Sequence, residues 1–181
     1  MRFIATTVLG LILSANALAG NLDTSSSTLI WKGTKVTGGH FGKLTFKDGN
    51  IMEKDGKLVG GDFVVDMTSM TVDDIKGGSM QKLLRHLNSA DFFEVEAHPT
   101  ASLKITTVAD GKISGDLTIK GKTHPISFDY TRDGETFSGT MVFDRTNYDI
   151  NYKSGKFFPA LGNKIIHDKV SVDFTFTKAA K

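Results

Sequence analysis

The sequence has no cysteine, three prolines and one tryptophan among its 181 residues. Without cysteine the chain cannot form disulfides, perform thiol redox chemistry, bind a metal through sulfur or carry a lipid on a cysteine. An excess of charge of one sign is also lacking, because 22 Lys and Arg stand against 20 Asp and Glu. A near-neutral balance without a basic stripe gives no electrostatic basis for binding nucleic acid. Beyond the first 19 residues no apolar run reaches the roughly 20 residues that cross a bilayer, so we predict no stable membrane anchor.

The first 19 residues have the architecture of a cleavable export signal. Met1 and Arg2 give a positive start, residues 3–13 form an apolar run, and residues 14–19 end in the small-x-small pattern that signal peptidase needs. The apolar run is too short to span a bilayer. We therefore predict a signal peptide at residues 1–19 and a single domain at residues 20–181, since about 160 residues suffice for one core but not for two.

Glycine and phenylalanine are abundant in the sequence, in contrast to cysteine and proline. Nineteen glycines recur in turn signals such as Asp110-Gly111, where glycine supplies the positive φ of a tight hairpin. Between the turns apolar and polar residues alternate, which is the period of strands with one buried face. About eight such strands predict an all-β antiparallel barrel or sandwich, and a barrel is favoured because long exposed edges are hazardous. The alternating sets are Phe63, Val65 and Met67; Leu103 and Ile105; Leu117 and Ile119; Ile126, Phe128 and Tyr130; Phe137, Met141 and Phe143; and Val170, Val172, Phe174 and Phe176.

One segment departs from the period of two. Residues 79–88 carry an apolar stripe at i, i+3, i+4 and i+7, which predicts a short amphipathic helix with Ser79 as its N-cap. Such a helix must cover an apolar surface, so we expect it at one end of the barrel as a plug or a lid. Thr71 and Asp74 have the spacing of a capping box and predict a shorter helical turn before it. The stripe consists of Met80, Leu83, Leu84 and Leu87.

Signatures of catalysis are missing from the sequence. There is no Gly-x-Ser-x-Gly elbow, no His-Glu-x-x-His helix and no phosphate-binding loop. The five histidines occur singly, without the spacing of metal ligands. We therefore predict no enzyme, no metal and no cofactor. The competing enzyme hypothesis would use His40 or His86 with a nearby carboxylate.

The inward-facing residues leave two interpretations of the interior open. Bulky phenylalanines and adaptable methionines can fill a small barrel completely, or they can line a cavity that adapts to an apolar ligand. Periodicity does not separate the two. One interpretation is a ligand-binding protein, and the other is a structural or stress-response accessory protein with a filled core and no ligand.

A long, ordered set of motifs resembles the YceI-like family of bacterial proteins. Residues 85–93 read Arg-His-Leu-Asn-Ser-Ala-Asp-Phe-Phe, and residues 98–103 follow with His-Pro-Thr-Ala-Ser-Leu at the family spacing. Residues 60–67 match upstream, residues 115–126 match downstream, and residues 168–172 match the closing strand. The resemblance covers nearly the whole of the predicted domain.

This resemblance implies a lipocalin-like, eight-stranded antiparallel barrel in the bacterial periplasm, with the short helix near one end. It implies a carrier for an amphiphilic long-chain ligand, which is a polyisoprenoid, an isoprenoid quinone or a fatty acid derivative held along the barrel axis. Residues 29–33 depart from the pattern of many members, so contacts to the head group are not assigned, and the oligomeric state stays open, with a homodimer as one option. The cavity-lining positions that the resemblance implies are Phe63, Val65, Leu83, Leu84, Leu87, Phe92, Phe93, Leu117, Ile119, Phe128, Phe143 and Phe174.

Overall fold

A computed structural model describes residues 18–180. These residues form nine β-strands, one α-helix and three short 3-10 segments. Residues 1–17 of the predicted signal peptide lie outside the described part of the chain. The strands are β1 (Leu18–Asn21), β2 (Thr28–Lys35), β3 (Gly38–Lys54), β4 (Lys57–Asp66), β5 (Thr100–Ala109), β6 (Lys112–Ile119), β7 (Lys122–Asp133), β8 (Thr136–Asp144) and β9 (Ile166–Thr177); the helix is α1 (Gly77–Asn88), and the 3-10 segments are Met67–Ser69, Arg145–Tyr148 and Pro159–Lys164.

Strands β2 to β9 close into an eight-stranded antiparallel barrel. Each strand of the ring pairs with its neighbours in sequence, and the ring closes where β9 pairs with β2, with Leu29 opposite Phe174. β3 has 17 residues, so it pairs with β2 along its first part and with β4 along the rest. A closed ring leaves no free sheet edge. The predicted antiparallel barrel with one helix is thereby confirmed.

The two ends of the barrel differ in the chain that covers them. At one end, which we call the hairpin end, two-residue turns join β3 to β4, β5 to β6 and β7 to β8. Positive φ values of 52° and 71° at Asp55 and Gly56 are those that a type I′ turn requires. At the opposite end, the α1 end, the long connections of residues 67–99 and 145–165 contain α1 and the 3-10 segments. Long connections on a rigid barrel are where a binding site is most readily built.

Helix α1 begins earlier than the sequence pattern predicts. Gly77 is its first residue, and Lys76 before it makes no side-chain cap, so the prediction of Ser79 as the N-cap is wrong. Gly77 adopts a φ of 64°, which turns the chain into the helix before Ser79 is reached. Leu87 is the buried residue of the helix, so the helix packs against the rest of the protein over a small area.

An extended strap, residues 70–74, stands where Thr71 and Asp74 predict a helical turn. The pairing of β4 with β3 stops at Thr45, so the first part of β3 is not paired with β4. The strap lies beside that part instead, and the amide of Thr71 donates to the carbonyl of Lys43 at 3.0 Å. The carboxylate of Asp74 accepts from the amide of Phe41 at 3.2 Å. The helical turn is not formed because the segment bonds to the backbone of β3 instead.

A buried carboxylate closes the hairpin end. Glu53 of β3 is 7% exposed, its Oε1 lies 2.8 Å from Nη2 of Arg132, and its Oε2 accepts from the ammonium of Lys178. The hydrogen bond from Lys178 holds the pKa of Glu53 below its usual range in spite of burial, and the same bond raises the pKa of Lys178. Because these residues belong to β3, β7 and the chain after β9, the cluster fastens three distant parts of the sequence together.

Strand β1 lies outside the ring and pairs with β3 near the hairpin end. It contains Leu18 and Ala19, the last two residues of the predicted signal peptide, so cleavage after Ala19 would leave Gly20 and Asn21 of this strand. The ring itself does not include β1. Among residues 18–180, no helix combines the length and the apolar character needed to cross a bilayer.

Candidate functional site

An apolar cavity occupies the interior of the barrel. Of the 23 residues that line it, all but Ser102 are hydrophobic, and its accessible lining exposes no polar atom. The cavity contains about 910 Å³ of space free of atoms, part of it open to solvent, and about 100 Å³ in which the centre of a water-sized sphere fits. Ligand pockets commonly measure about 300–1,000 Å³, so the room of about 100 Å³ is small for a ligand pocket. Because the room for a water-sized sphere is small, the cavity suits a slender chain better than a bulky ring system.

The inward side chains of the strands build the cavity wall. On β6, Ile113, Leu117 and Ile119 are buried and line the cavity, whereas Asp116 between them is exposed. Successive side chains of a strand point to opposite faces of the sheet, so an alternating sequence becomes an apolar lining once the sheet closes.

Phenylalanine rings fill the interior toward the hairpin end. The ring centroid of Phe176 lies 4.8 Å from that of Phe63, 5.0 Å from that of Phe137 and 5.6 Å from that of Phe174. Phe128 meets Phe174 edge to face at 5.2 Å. Such aromatic contacts each contribute about 0.5–1.5 kcal/mol beyond the area they bury, so this part of the interior is well packed and bounds the cavity.

Eight of the twelve cavity-lining residues predicted from the sequence lie in the wall. They come from β4, β6, β7, β8, β9 and the connection after α1, and closure of the barrel brings them around one space. Their contact with a ligand stays a prediction. The eight are Phe63, Val65, Phe93, Leu117, Ile119, Phe128, Phe143 and Phe174.

The other four predicted residues, Leu83, Leu84, Leu87 and Phe92, are not part of the cavity wall. Leu87 and Phe92 are buried, and Leu83 and Leu84 are partly buried against the core. The reason is local: the amide of Phe93 donates to the carbonyl of Leu87 at 3.0 Å. This bond folds the chain after α1 back onto the helix, so the helix packs on its own connection and Phe93 reaches the cavity instead.

The wall contains fifteen further residues that were not among the twelve. Most of them belong to strands with the same alternation, so the period of two already carried their signal. Met70 had no such signal, because its place depends on the pairing of the strap with β3. The fifteen are Leu29, Trp31, Leu44, Phe46, Met67, Met70, Ala101, Ser102, Leu103, Ile105, Ile113, Met141, Val170, Val172 and Phe176.

Trp31, the single tryptophan of the chain, connects the cavity wall with the strap. Its side chain lines the cavity, and its Nε1 donates to the carbonyl of Thr71 at 3.0 Å. Gly42 lies at the same contact, where an added Cβ would stand 1.9 Å from the oxygen of Thr71 and 2.9 Å from Nε1 of Trp31. Only glycine therefore allows the strap to approach β3 this closely.

A polar groove, the rim groove, lies beside the cavity at the α1 end. Phe92 stands between the two: its ring centroid is 6.3 Å from that of Phe93 in the cavity wall and 5.7 Å from that of Tyr152 in the groove. The groove is open to solvent and has about 480 Å³ in which the centre of a water-sized sphere fits. Its lining consists of Ala90, Asp91, Asp149, Asn151, Tyr152, Lys153, Phe158 and Leu161.

Oδ1 of Asn151, a residue of the groove lining, is buried and has no hydrogen-bond partner within residues 18–180. The same is true of Nε2 of His86, which does not itself line the groove but whose ring packs edge to face on Tyr152 at 4.5 Å. An unpaired buried polar atom costs about 1–3 kcal/mol. The unpaired Oδ1 of Asn151 therefore marks a place in the groove where a polar group can bind favourably.

Arg145 fixes the connection that carries most of the rim groove. It is 1% exposed, and its guanidinium donates from Nη1 to the carbonyl of Ile150 at 2.6 Å and from Nη2 to the carbonyl of Ile166 at 3.0 Å. Nη2 also lies 3.1 Å from Oδ1 of Asp168. Burial lowers the pKa of Arg145, and the charge of Asp168 counters this. The guanidinium carbon lies 5.9 Å from the ring centroid of Phe92, so one buried charge orients both the connection and the residue beside the cavity.

The competing enzyme hypothesis required a histidine and a carboxylate within reach in a cavity. Nδ1 of His40 lies 2.8 Å from Oδ2 of Asp74, but neither residue lines the cavity or the rim groove. The pair instead fastens the strap to β3. Nδ1 of His86 is 3.9 Å from Oδ2 of Asp91, which is beyond hydrogen-bond distance. Within residues 18–180, no three His, Cys, Asp or Glu side chains are grouped to hold a metal ion.

Comparison with curated proteins finds relatives in bacteria. A UPF0312 protein of Staphylococcus aureus strain N315 is 35% identical over 78 residues, which are 37% of this chain and 46% of that protein. A second, from strain MSSA476, is also 35% identical over 78 residues. The chain thus spans about half the length of the curated relatives that it matches.

Solved structures share the barrel at low sequence identity. BcnA of Burkholderia cenocepacia superposes with a TM-score of 0.68 at 19% identity, covering 87% of this chain and 99% of that one. A polyisoprenoid binding domain from Saccharophagus degradans superposes with a TM-score of 0.61 at 14% identity, covering 91% of this chain and all of that one. These similarities establish the fold. The family model described as the YceI-like domain matches residues 21–178, and with a match of this extent the chain belongs to the YceI-like family.

Proposed function

We propose that this chain is a periplasmic carrier that holds the long apolar part of an amphiphile inside its barrel, without catalysis. The ligand classes are polyisoprenoids, isoprenoid quinones and fatty acid derivatives. The observation that carries the proposal is the cavity, whose lining is hydrophobic except for Ser102. The shared fold of the polyisoprenoid binding domain from S. degradans supports this choice of ligand class.

Transfer of an apolar chain into this cavity supplies enough free energy for binding. Burial contributes about 25 cal/mol per Å² of apolar surface, so removing roughly 300 Å² from water contributes about 7 kcal/mol. The cavity wall exposes no polar atom that would lose a water molecule in exchange. The affinity can therefore come from the chain, with few polar contacts.

The polar end of such a ligand fits the rim groove. Lys153 supplies a cation there, and the unpaired Oδ1 of Asn151 can accept a hydrogen bond from the ligand. A ligand that extends from the cavity to the groove would run past the side chain of Phe92. An amphiphile with its chain inside and its polar end at the groove satisfies both surfaces at once.

The test is native mass spectrometry of the protein purified from its own host, followed by lipid extraction. We expect a complex of one chain with one amphiphile. Val172→Thr adds a hydroxyl to the cavity wall without a change of shape, and it should lower ligand retention. Val142→Thr makes the same change on the outside of β8, where the side chain is 50% exposed, and should leave retention unchanged. Only ligand-free mass after gentle extraction would contradict the proposal.

Export to the periplasm is supported by the composition of residues 1–19 and by the family match, which begins at residue 21. The mature protein from the periplasmic fraction should start at Gly20 by intact mass. Ala19→Lys should block cleavage, while the same change at Asn21 should not. A protein that retains Met1 in that fraction would contradict the predicted cleavage.

The filled barrel remains the second candidate, because the phenylalanine rings toward the hairpin end occupy much of the interior. In that case the chain would be a structural or stress-response accessory protein. Stacking of Phe174 on Phe176 at an interplanar angle of 16° is the observation that favours it. The two candidates differ in the retention test above, since a filled core gives equal results for Val172→Thr and Val142→Thr.

A further inference from the structure

The α1 end exposes several large apolar side chains. Phe157 and Phe158 are adjacent in sequence and are 48% and 49% exposed. Val36, on the turn between β2 and β3, is 52% exposed, and its amide donates to the carbonyl of Ile165 at 3.3 Å. This bond joins the turn to the connection that carries the two phenylalanines. We call Val36, Phe157 and Phe158 the apolar rim.

Three lysines lie near Phe157 and Phe158 in sequence, in a segment bounded by Asp149 and Asp168. Residues 150–167 contain three lysines and no aspartate or glutamate, although the whole chain has a formal net charge of only +2. Within the described chain, none of the ion pairs involves Lys153, Lys156 or Lys164. The ammonium of Lys156 lies 5.5 Å from the ring centroid of Phe157, so cation and aromatic ring are presented together.

The apolar rim lies at the end of the barrel whose connections contribute residues to the cavity wall. Met67, Met70 and Phe93 of the cavity wall belong to the connections at this end, whereas no residue of the two-residue turns at the hairpin end lines the cavity. Phe158 is itself part of the rim groove. A surface that covers the apolar rim would therefore face both the groove and the cavity.

We propose that the α1 end docks on a lipid bilayer whose surface is anionic. Phe157 and Phe158 enter the interface between head groups, and the three lysines contact lipid phosphates. The inference rests on the proposed function, because a carrier of amphiphiles has to take them from a bilayer or return them to one. The contact is peripheral and reversible. Each lysine near an anionic surface strengthens binding about fivefold.

The test is sedimentation of the mature chain with vesicles of phosphatidylcholine alone or of equal parts phosphatidylcholine and phosphatidylglycerol. We expect sedimentation with the mixed vesicles, weakened by salt and by omission of phosphatidylglycerol. The double variant Phe157→Ser, Phe158→Ser should bind the mixed vesicles at least about tenfold more weakly, and Lys156→Gln about fivefold more weakly. Val59→Ser removes a valine on β4 toward the hairpin end that is 40% exposed, and it should bind as the unchanged chain does.

A titration with a dissolved fatty acid, followed by the fluorescence of Trp31, separates docking from ligand binding. For this titration the single variant Phe157→Ser is used, because Phe157 lines neither the cavity nor the rim groove. We expect it to sediment less with the mixed vesicles and to keep the Kd of the unchanged chain for the fatty acid. If the unchanged chain binds the dissolved fatty acid but not the mixed vesicles, docking is overturned and the proposed function stands. If it binds neither, both are overturned. Equal sedimentation of the double variant and the unchanged chain would also overturn docking. So would a double variant that differs from the unchanged chain only in its oligomeric state on size exclusion, because the apolar rim would then be a contact between copies of this chain.

Discussion

Replacing Ala101 by leucine should shorten the longest acyl chain that the protein binds at full strength. Ala101 is the small residue at which β5 faces the cavity, opposite Val65 of β4, and it is 9% exposed. Leucine at this position places about three additional methylene-sized groups in the space that a ligand would occupy. The barrel backbone need not move, because the added atoms point into the cavity rather than into a neighbouring strand.

The size of the effect follows from the free energy of burying a methylene group. Each buried methylene contributes about 0.8 kcal/mol, which is about fourfold in Kd. Across a series of fatty acids, the Kd should fall about fourfold with each added carbon until the chain fills the cavity, and then stay level. In Ala101→Leu the level region should begin about three carbons earlier, and the longest chains should bind up to about 60-fold more weakly.

Trp31 makes the measurement direct. It is the single tryptophan of the chain and lines the cavity, so brominated fatty acids that enter the cavity should quench its fluorescence. The matched control is Ala109→Leu, the same substitution on the same strand at an exposed position. A urea titration should show both variants folded, with a cost in Ala101→Leu no greater than the roughly 1–3 kcal/mol of overpacking. Equal Kd values for all chain lengths, or an unmoved level region in Ala101→Leu, would refute the reasoning.

Three further predictions concern stability and packing. Arg145→Met leaves buried carbonyl groups without donors and should lower the free energy of unfolding by about 3–5 kcal/mol in urea; a loss below about 1 kcal/mol would contradict its role. The pKa of Glu53 is lowered in the folded state, so its contribution to the stability of the fold is complete at neutral pH and is lost as the pH falls below about 4. In Glu53→Gln, the thermal unfolding temperature should therefore depend less on acid pH. An identical pH profile for the variant and the unchanged chain would argue against the Lys178 bond. Gly42→Ala should displace the strap, because its Cβ would stand 1.9 Å from the oxygen of Thr71, and should shift the Trp31 emission to longer wavelength.

The strands could be predicted because their signal is local. Leu117 and Ile119 alternate with exposed residues, and any closed antiparallel sheet buries such a set on one side. Whether the enclosed space is hollow could not be predicted, since alternation gives the face on which a ring lies but not its distance from the rings of other strands. The contact of Phe63 with Phe176 joins residues far apart in sequence, and its 4.8 Å separation depends on closure of the whole ring.

The connections at the α1 end were predicted less well, because their conformation depends on residues that are distant in sequence. Thr71 and Asp74 have a real capping-box spacing, but the backbone of β3 that needs partners is not visible in their neighbourhood. Leu84 has the spacing of a core-facing residue, yet the fold of the chain after α1 decides which core it faces. The rim groove joins Asp91 to Asn151 across two connections, and single histidines and asparagines carry no sequence signal for such a pairing.

The pairing of β9 with both β8 and β2 has a consequence for how the protein folds. A chain that is made from its amino end can form the hairpins from β2 to β8 as each strand becomes available, but it cannot close the ring before residues 166–177 are present. Pairing of strands so distant in sequence is slow, because the chain between them loses conformational entropy before the strands gain their contacts. Until that step β2 and β8 each retain an unpaired edge, and the inner face of the sheet is in contact with water. Formation of the cavity and completion of folding are therefore the same event, so refolding in the presence of an amphiphile offers a route for enclosing it that does not pass through the α1 end.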